Sequence, residues 1–297
     1  MLLEIQGDRS GAVGVLPRVV GLVARLDKEA ALRLAEQVSR HLKSKGFRVF
    51  MEENLAKRLG SREAVSIEEM RADLVITIGG DGTILRTCLR LPKPEPPILA
   101  IDMGVRGFLT EVPPERAVEA VDRYIKGEYN MKRCSKLASY IGERRLPDAL
   151  NEIFVTSRSL AKLLHVRVWK NGSLVTDCRV DGVIVASQVG STGYSLSAGG
   201  PILDPELDAF VVTPVCPLTV VKPTVFASNT VLTIELVKPK SATVVIDGHY
   251  QTQMSREEPL IKIKKSEHET VFIRFKDDFY HRLKTRLLFV KEEVDLE

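Results

Sequence analysis

Four short apolar runs in the first half of the chain predict buried strands. They are rich in branched residues, they are bounded by turn-forming or charged residues, and they occupy residues 18–25, 47–52, 73–78 and 97–104. No apolar run reaches the roughly 18 residues that a membrane span needs, so no membrane association is predicted.

The segments between these runs show helical spacing. We predict Asp27 as the cap of a helix that ends at Gly46, and its apolar face comprises Ala31, Leu34, Ala35, Val38 and Leu42. Residues 66–72 predict a short helix, and residues 113–127 predict a longer one with Pro at its start and Gly at its end. Strands that alternate with helices indicate a parallel sheet covered on both faces.

The pattern changes near residue 135. Short runs rich in Val, Ile and Thr follow, separated by turn residues, and they predict strands at 151–157, 163–177, 180–187, 210–215, 231–236, 243–251, 260–266 and 270–275. Within the second of these, Asn171-Gly172 is a strong hairpin signal. This half is therefore predicted to be mainly β, and helical spacing returns only over residues 277–291.

Composition narrows the class of protein. The 297 residues carry a formal net charge of +4, with Lys and Arg interleaved among Asp and Glu. This balance is compatible with anionic small molecules and does not indicate a nucleic-acid-binding face. The four cysteines are far apart and form no CxxC pair, so we expect reduced, structural thiols. The chain starts without a signal-peptide pattern, and we expect a cytoplasmic protein.

The most informative segment is the glycine loop at residues 79–83, Gly-Gly-Asp-Gly-Thr, which follows a predicted buried strand. Gly79, Gly80 and Gly82 permit backbone angles that a β-carbon forbids, and they let a phosphate approach the main-chain N–H groups. The residues that follow can begin a helix, whose N-terminus favours an anion. The loop is therefore suited to holding a phosphoryl group at the carboxyl end of a parallel strand.

Asp81 does not fit a loop built only to attract phosphate, because its negative charge repels one. It fits if it accepts a proton from an attacking hydroxyl, or if it helps to position a metal bound to the phosphates. The alternative is a plain turn in which Asp81 caps the helix. Neither a GxGxxG fingerprint nor a GxxxxGK[ST] loop is present.

Two later segments offer polar groups for a ligand. Asn151 can hydrogen-bond a base edge or a hydroxyl in both senses, and Glu152 can accept from vicinal ribose hydroxyls; the alternative is an Asx turn that enters a strand. Residues 190–200 combine glycines, hydroxyl side chains and Tyr194, which suits the wall of a nucleotide site. Composition alone also fits a flexible loop there.

These segments together resemble a known family. Residues 79–83 resemble the GGDGT motif shared by NAD kinases, diacylglycerol-type lipid kinases and sphingosine kinases. Asn151-Glu152 resembles the NE motif of NAD kinases, and residues 247–249, Asp-Gly-His, stand where that family has its DGQ or DGH turn. Residues 181–203 resemble the long NAD kinase signature over nearly their whole length. The sequence departs from that signature where Gln188-Val189 replaces Pro-Thr and Gly193 replaces Ala.

The resemblance implies a two-domain architecture. It implies an N-terminal Rossmann-like α/β domain over residues 1–135 and a C-terminal β-sandwich-type domain over residues 136–276, with the cleft between them. The last helix, in residues 277–297, is expected to pack back on the N-terminal domain. Residues 1–16 carry weak signals, and no role is assigned to them.

The resemblance also implies the ligand contacts. They are expected from Gly80, Asp81, Gly82, Thr83, Arg86, Asn151, Glu152, Lys162, Arg179, Asp181, Thr192, Gly193, Tyr194, Ser195, Leu196, Ser197 and His249. Arg86 and Lys162 match basic residues that the family places near the phosphates, and Arg179 and Asp181 match contacts to the nicotinamide half. Taken singly, these charges are equally typical of surface residues and ion pairs, and His249 is typical of a hairpin turn. No residue is assigned as a metal ligand.

The activity implied is that of an NAD kinase. Such an enzyme transfers the γ-phosphoryl group of ATP, or a phosphoryl group of polyphosphate, to the 2′-hydroxyl of the adenosine ribose of NAD, giving NADP. Asp81 is the expected general base, Mg²⁺ or another divalent cation is expected with ATP, and a homodimer or homotetramer is expected. Two alternatives stay open at this point: a GGDGT-type lipid kinase, and a non-catalytic NAD- or NADP-binding sensor.

Overall fold

The computed structural model describes residues 19–104, 107–159, 162–276 and 279–287. The strands are β1 Val19–Ala24, β2 Arg48–Glu52, β3 Ala64–Val65, β4 Leu74–Gly79, β5 Ile98–Asp102, β6 Asn130–Ile141, β7 Arg144–Arg145, β8 Glu152–Ser157, β9 Leu164–Lys170, β10 Ser173–Val180, β11 Gly182–Ala186, β12 Ala209–Val215, β13 Thr224–Ala227, β14 Leu232–Lys238, β15 Ser241–Ile246, β16 Tyr250–Ser255 and β17 Leu260–Arg274. The helices are α1 Glu29–Ser44, α2 Glu53–Leu59, α3 Asp81–Arg90, α4 Ala117–Ile125, α5 Tyr194–Ser197 and α6 Phe279–Arg282.

The N-terminal half forms the predicted parallel sheet, in the order β3-β2-β1-β4-β5. Successive residues of β4 are all buried, because the two faces of the sheet are covered by different helices. Leu74, Ile76 and Ile78 pack with α1 and α4 in one apolar cluster, whereas Val75 packs with Ile84 of α3 in another. The predicted α/β organisation is confirmed.

The same sheet continues into the C-terminal half. The long strand β17 lies beside β5 in parallel and pairs antiparallel with β6 and β14, and β9 and β10 complete that side. A second, antiparallel sheet has the order β13-β12-β11-β8-β15-β16. Apolar residues from both sheets form one shared core, including Val155, Val166 and Ile234. This is the sandwich-type half that the fold class predicts.

The structure corrects several local predictions. Asp27 does not cap α1: Lys28 occupies the N-cap position, and the Asp27 carboxylate instead accepts from Arg25 Nε at 2.8 Å. The helix predicted over 66–72 is a single 3-10 turn, Ile67–Glu69, and the two strands predicted over 260–275 are one strand, β17. The hairpin at Asn171-Gly172 is confirmed, with φ of 49° and 84° at the two turn residues.

The last described α-helix, α6, contacts the N-terminal half, as predicted. The ring of Phe279 in α6 meets the ring of Phe108 edge-on, with centroids 5.4 Å apart. A π-helical stretch, Leu283–Leu287, follows α6. The predicted helix beyond residue 287 and the lead-in at residues 1–16 lie outside the described residues. Among the residues that are described, no helix is long and apolar enough to cross a membrane.

Candidate active site

The glycine loop connects a buried strand to a helix. β4 ends at Gly79, Gly80 occupies the N-cap of α3, and the Thr83 N–H donates to the Gly80 carbonyl at 3.0 Å. A β-carbon on Gly79 would lie 2.2 Å from Thr83 Oγ1, so this position admits only glycine while Thr83 keeps its place. The Gly80 side of the loop is open, because a β-carbon there would have no neighbouring atom within 4 Å among the described residues. The loop therefore leaves room for a ligand beside its backbone N–H groups.

Asp81 is the first residue of α3 and not its cap. Its carboxylate accepts from the Phe108 N–H at 2.8 Å and from the Leu109 N–H at 2.9 Å. The two donors come from a loop 27 and 28 residues further along the chain. The cap alternative is therefore wrong, because the Asp81 side chain is held by a distant loop and Gly80 holds the N-cap. Both carboxylate oxygens are oriented by backbone donors, as a positioned base requires.

Asp102 adds a second carboxylate at the same edge of the sheet, and sequence reasoning missed it. It ends β5, where it stands opposite Gly79 in the parallel register, and it is buried. Its Oδ1 accepts from the Gly104 N–H at 2.8 Å. The available signal was the position of an acidic residue at the carboxyl end of a predicted parallel strand, beside the strand that ends in the glycine loop.

Asn151 and Glu152 stand where β8 begins, and a buried aspartate holds them there. The Asp247 carboxylate accepts from the N–H groups of Leu150, Asn151 and Glu152 at 2.7, 2.8 and 3.0 Å. Asp247 has a φ of 49° in the turn between β15 and β16. Sequence reasoning singled out this turn for His249 and overlooked the role of Asp247, which only the fold reveals.

The side chains of this pair carry unused hydrogen-bonding capacity. Asn151 Oδ1 and Glu152 Oε2 are buried and lack a partner among the described residues. Burial raises the pKa of Glu152 to about 7, the Asp247 carboxylate adds to the rise, and the Tyr194 backbone N–H acts in the opposite direction. Buried polar atoms without partners are rare in folded proteins, and a bound ligand is one way to satisfy them.

The loop after β11 packs directly on this pair. The Ser187 N–H donates to the Asn151 carbonyl at 2.8 Å, and a β-carbon on Gly190 would lie 2.0 Å from that carbonyl oxygen. A β-carbon on Gly193 would meet Glu152 Oε2 at 2.9 Å and Asn151 Nδ2 at 3.1 Å. The glycines of the loop therefore let its backbone approach Asn151 and Glu152 closely.

Other predicted residues of this loop divide into exposed and buried ones. The Tyr194 side chain is 44% exposed and its ring makes an edge-to-face contact with Phe154, with centroids 5.2 Å apart. Ser197 is exposed and Leu196 is half-buried. Thr192 Oγ1 donates to the Val189 carbonyl at 3.0 Å. Ser195 is fully buried and its hydroxyl bonds Thr213 Oγ1 at 2.8 Å, which indicates a structural role for that side chain.

His249 joins the two halves of the site. Its Nε2 lies 3.0 Å from the Gly82 carbonyl oxygen in the glycine loop, while Asp247 in the same turn holds residues 150–152. The turn thus contacts both the loop at Asp81 and the pair at Asn151-Glu152, and we call the region between these two segments the cleft. These residues came from separate stretches of sequence, and the structure assembles them.

Four predicted contacts lie at the margins. Arg86 Nη1 is 3.5 Å from Glu52 Oε1 and the side chain is partly buried. Lys162 is exposed and lines an open groove with Lys240, Arg256 and Pro259, outside the assembled cleft. Arg179 and Asp181 are exposed around the end of β10. Their ligand contacts remain predictions.

The described residues contain no group of three His, Cys, Asp or Glu side chains that could hold a metal ion. In proteins that bind nucleotides, Mg²⁺ is usually held through one or two carboxylates and the substrate phosphates. The carboxylates of Asp81 and Asp102, at adjacent strand ends, are of the right chemistry for such an ion.

The fold places a glycine loop at the edge of an α/β sheet and joins that sheet to a β-rich half. The chain matches the ATP-NAD kinase N-terminal domain over residues 20–129 and the ATP-NAD kinase C-terminal domain over residues 150–275. It belongs to the NAD kinase family, and the prediction of an enzyme that phosphorylates NAD is confirmed. The lipid-kinase and sensor alternatives are set aside.

Relatives of similar length support this assignment. The NAD kinase of Methanothermobacter thermautotrophicus is 39% identical over 91% of this chain and 96% of its own, and that of Thermococcus gammatolerans is 41% identical over 90% and 98%. The crystal structure of an NAD kinase from Archaeoglobus fulgidus in complex with ATP is 31% identical, with a TM-score of 0.74 over 92% of this chain and 100% of that one. Yeast NADH kinase complexed with NADH, at 21% identity and a TM-score of 0.84 over 94% and 90% of the two chains, shares the fold.

Proposed function

We propose that this NAD kinase transfers the γ-phosphoryl group of ATP to the 2′-hydroxyl of the adenosine ribose of NAD, with Asp81 as the general base. The observation that carries the assignment of the base is the pair of backbone N–H donors, from Phe108 and Leu109, that orient the Asp81 carboxylate beside the open glycine loop. Phosphoryl transfer depends mainly on positioning and charge neutralisation, which this arrangement supplies.

In the proposed reaction, Asp81 accepts the proton of the ribose hydroxyl as that oxygen bonds to the γ-phosphorus atom of ATP. The bond from this phosphorus to the β-γ bridging oxygen breaks, and ADP leaves. The N–H groups of the glycine loop and the N-terminus of α3 bind phosphate oxygens. Mg²⁺, when bound with ATP, neutralises charge on the phosphates, and Asp102 is the residue that would hold it. The His249 contact to Gly82 keeps the glycine loop against the dinucleotide half of the cleft.

The dinucleotide is proposed to lie along Asn151 and Glu152. The unpartnered Glu152 oxygen would accept from a ribose hydroxyl, and the unpartnered Asn151 oxygen would accept from a donor on the base or ribose. Tyr194, Thr192 and Ser197 are proposed to form the adjoining wall, together with Gly80, Gly82, Thr83, Gly193, Leu196 and His249. The contacts of Arg86, Lys162, Arg179 and Asp181 stay predictions because these residues lie at the margins, and that of Ser195 stays one because its side chain is buried.

We also propose a homodimer or homotetramer that works in the cytoplasm. Leu218 is 64% exposed and Val220 is 90% exposed, and Val220 lines a cavity with Val175 and Phe226. We call the exposed side chains Val175, Leu218 and Val220 the apolar surface. Large exposed apolar patches mark interaction sites. The Leu218 N–H donates to the Arg179 carbonyl at 2.9 Å, so this surface adjoins the residues that the family uses for the nicotinamide half.

The domain limits at 1–135 and 136–276 remain part of the proposal. β6 runs through residue 135 and pairs with β17 for most of its length, so the two halves share a sheet. Folding of the halves as separate units is therefore not required for the proposed activity, which needs only the cleft between the glycine loop and the second sheet.

The function is tested by incubating the purified protein with Mg²⁺-ATP and NAD and assaying NADP with an NADP-specific dehydrogenase. We expect NADP to form only when the protein, ATP and a divalent cation are all present. Parallel reactions with polyphosphate and with NADH define the donor and the acceptor. Absence of NADP with every donor, alongside clear NAD binding by calorimetry, would overturn the proposed reaction.

A further inference from the structure

We infer that Arg274 is a positioning residue for the Asp81 carboxylate, acting through the backbone of Leu109. This inference rests on the proposed role of Asp81 as general base. Arg274 ends β17, the long strand that lies beside β5, and it comes from a part of the sequence far from the glycine loop. It belongs to none of the motifs that identify the site.

The connection is a short chain of hydrogen bonds. Arg274 Nη1 donates to the Leu109 carbonyl at 3.0 Å, and the Leu109 N–H donates to Asp81 Oδ1 at 2.9 Å. The Leu109 carbonyl is thus held by the Arg274 guanidinium, and the Leu109 N–H orients the Asp81 carboxylate. The Leu109 backbone lies in a bend outside helices and strands, so its orientation depends on such contacts.

A buried carboxylate fixes the guanidinium in turn. Arg274 Nη1 lies 2.9 Å from Glu111 Oε2, and Glu111 Oε1 accepts from the Phe275 N–H at 2.8 Å. The side chains of Arg274 and Glu111 are only 10% and 5% exposed. Charge-assisted hydrogen bonds in such an environment are shorter and stronger than neutral ones, so they define the position of the Leu109 carbonyl sharply.

Helix α6 contacts the same loop. Arg282 Nη1 is 3.3 Å from Glu111 Oε2, and its guanidinium stands 5.9 Å from the centre of the Phe108 ring. Phe279 packs edge-on against Phe108. Both residues that donate to Asp81, Phe108 and Leu109, are therefore braced from behind by β17 and α6. An error of about 1 Å in the position of a catalytic group can lower a rate by about 10²-fold.

The test compares kinetic constants of variants with those of the wild type. Arg274→Met removes the donor to Leu109, and we expect kcat to fall by about 10- to 100-fold while the KM for NAD stays within about twofold. Arg274→Lys, which retains a charged donor, should recover part of kcat. The control is Arg116→Gln, which removes an exposed arginine paired with Glu119 on the surface and should leave both constants unchanged.

Without Arg274, the buried Glu111 carboxylate keeps only Arg282 as a charged partner, and this loss can destabilise the fold. The double variant Glu111→Gln and Arg274→Met removes that charge while the amide oxygen can still accept from Phe275. All variants are assayed at least about 10 °C below their measured Tm. An unchanged kcat in a folded Arg274→Met or double variant would overturn the inference, as would equal changes in kcat and KM.

The wild type and Asp81→Asn are assayed in the same series. If Asp81→Asn keeps wild-type kcat, the proposed base is wrong whatever Arg274 does. If Asp81→Asn loses activity and the folded Arg274 variants do not, only the positioning role of Arg274 is wrong.

Discussion

At the scale of single residues, Glu152 combines burial, a nearby negative charge and an oxygen without a partner among the described residues. A buried polar atom left without a hydrogen bond costs about 1–3 kcal/mol. The unpartnered oxygens of Asn151 and Glu152 therefore destabilise the free protein. A ribose that hydrogen-bonds them at this proposed binding position would remove that cost. The same burial makes the stability of the free protein depend on pH.

The Glu152 carboxyl has a pKa of about 7 in the folded chain, above its ordinary value of 4.5. The folded state favours the protonated Glu152 carboxyl. The contribution of this group to the free energy of unfolding is therefore fully present below pH 4.5 and is lost as the pH rises through 7. We predict that Glu152→Gln, which cannot ionise, becomes more stable relative to the wild type by up to about 3 kcal/mol between pH 4.5 and pH 8.5. Urea unfolding at both pH values measures this, and a difference that is independent of pH would contradict it.

Gly190 and Gly193 offer a matched pair of substitutions. A β-carbon on Gly190 would strike the Asn151 backbone, whereas the closest atoms at Gly193 are the ends of two side chains that can rotate. We predict that Gly190→Ala lowers the free energy of unfolding by about 1–3 kcal/mol. Gly193→Ala, which restores the residue of the family signature, should cost less stability and change the KM for NAD little, because the Glu152 and Asn151 side-chain ends can shift. Thermal unfolding and steady-state kinetics separate the two effects, and equal stability losses would count against this packing.

At the scale of elements, the turn between β15 and β16 organises the site. Asp247 holds residues 150–152 and His249 contacts Gly82, so one turn fixes two segments that are far apart in sequence. The carboxylate is suited to this because all three of these partners are backbone donors.

We predict that Asp247→Asn raises the KM for NAD and lowers the free energy of unfolding by about 1–3 kcal/mol, because the amide NH₂ would face a backbone N–H. His249→Ala is the comparison, since it leaves the Asp247 bonds in place and should cost much less stability. Calorimetric NAD binding and Tm provide the measurements. A wild-type Tm and affinity in Asp247→Asn would show that the three bonds do not hold the pair.

Helices and strands were predictable where apolar residues recur at regular spacing. They were less predictable where charged residues interrupt that spacing. β1, β2, β4, β5 and α1 follow from their patterns. β6 escaped prediction because its buried Lys136 looks like a surface residue, and only the fold supplies its partner, Glu95, at 2.5 Å. β17 was divided in two by the polar residues 264–269, where the pairing with β6 is irregular.

At the scale of the whole molecule, sequence motifs identified the cleft but not the groups that hold it together. Asp81, Asn151 and Glu152 were predicted, and the structure brings them to one cleft through His249 and Asp247. The roles of Phe108, Leu109 and Asp102 depend on tertiary distances, which no local pattern encodes. Arg179, Asp181 and Lys162 lie at the margins of the single chain, away from the other predicted site residues. In the proposed oligomer, a second copy could bring such residues close to the bound dinucleotide.

Self-association through the apolar surface gives a prediction for the assembly. Val220→Asp places a charge on a side chain that is 90% exposed in one chain and is proposed to be covered in the oligomer. We expect this variant to shift to a smaller species in light scattering and to show a higher KM for NAD. Leu260→Asp, at an exposed apolar position on β17, is the control. An unchanged mass for Val220→Asp would place any interface elsewhere.

The central claim is that the oriented Asp81 carboxylate removes the proton from the ribose hydroxyl that attacks ATP. The most direct test is the turnover of Asp81→Asn in the NADP-forming assay, with NAD affinity measured on the same preparation. For Asp81→Asn we expect kcat to fall by about 10²–10⁴-fold while NAD binding is retained. A folded Asp81→Asn protein that forms NADP at the wild-type rate would contradict it.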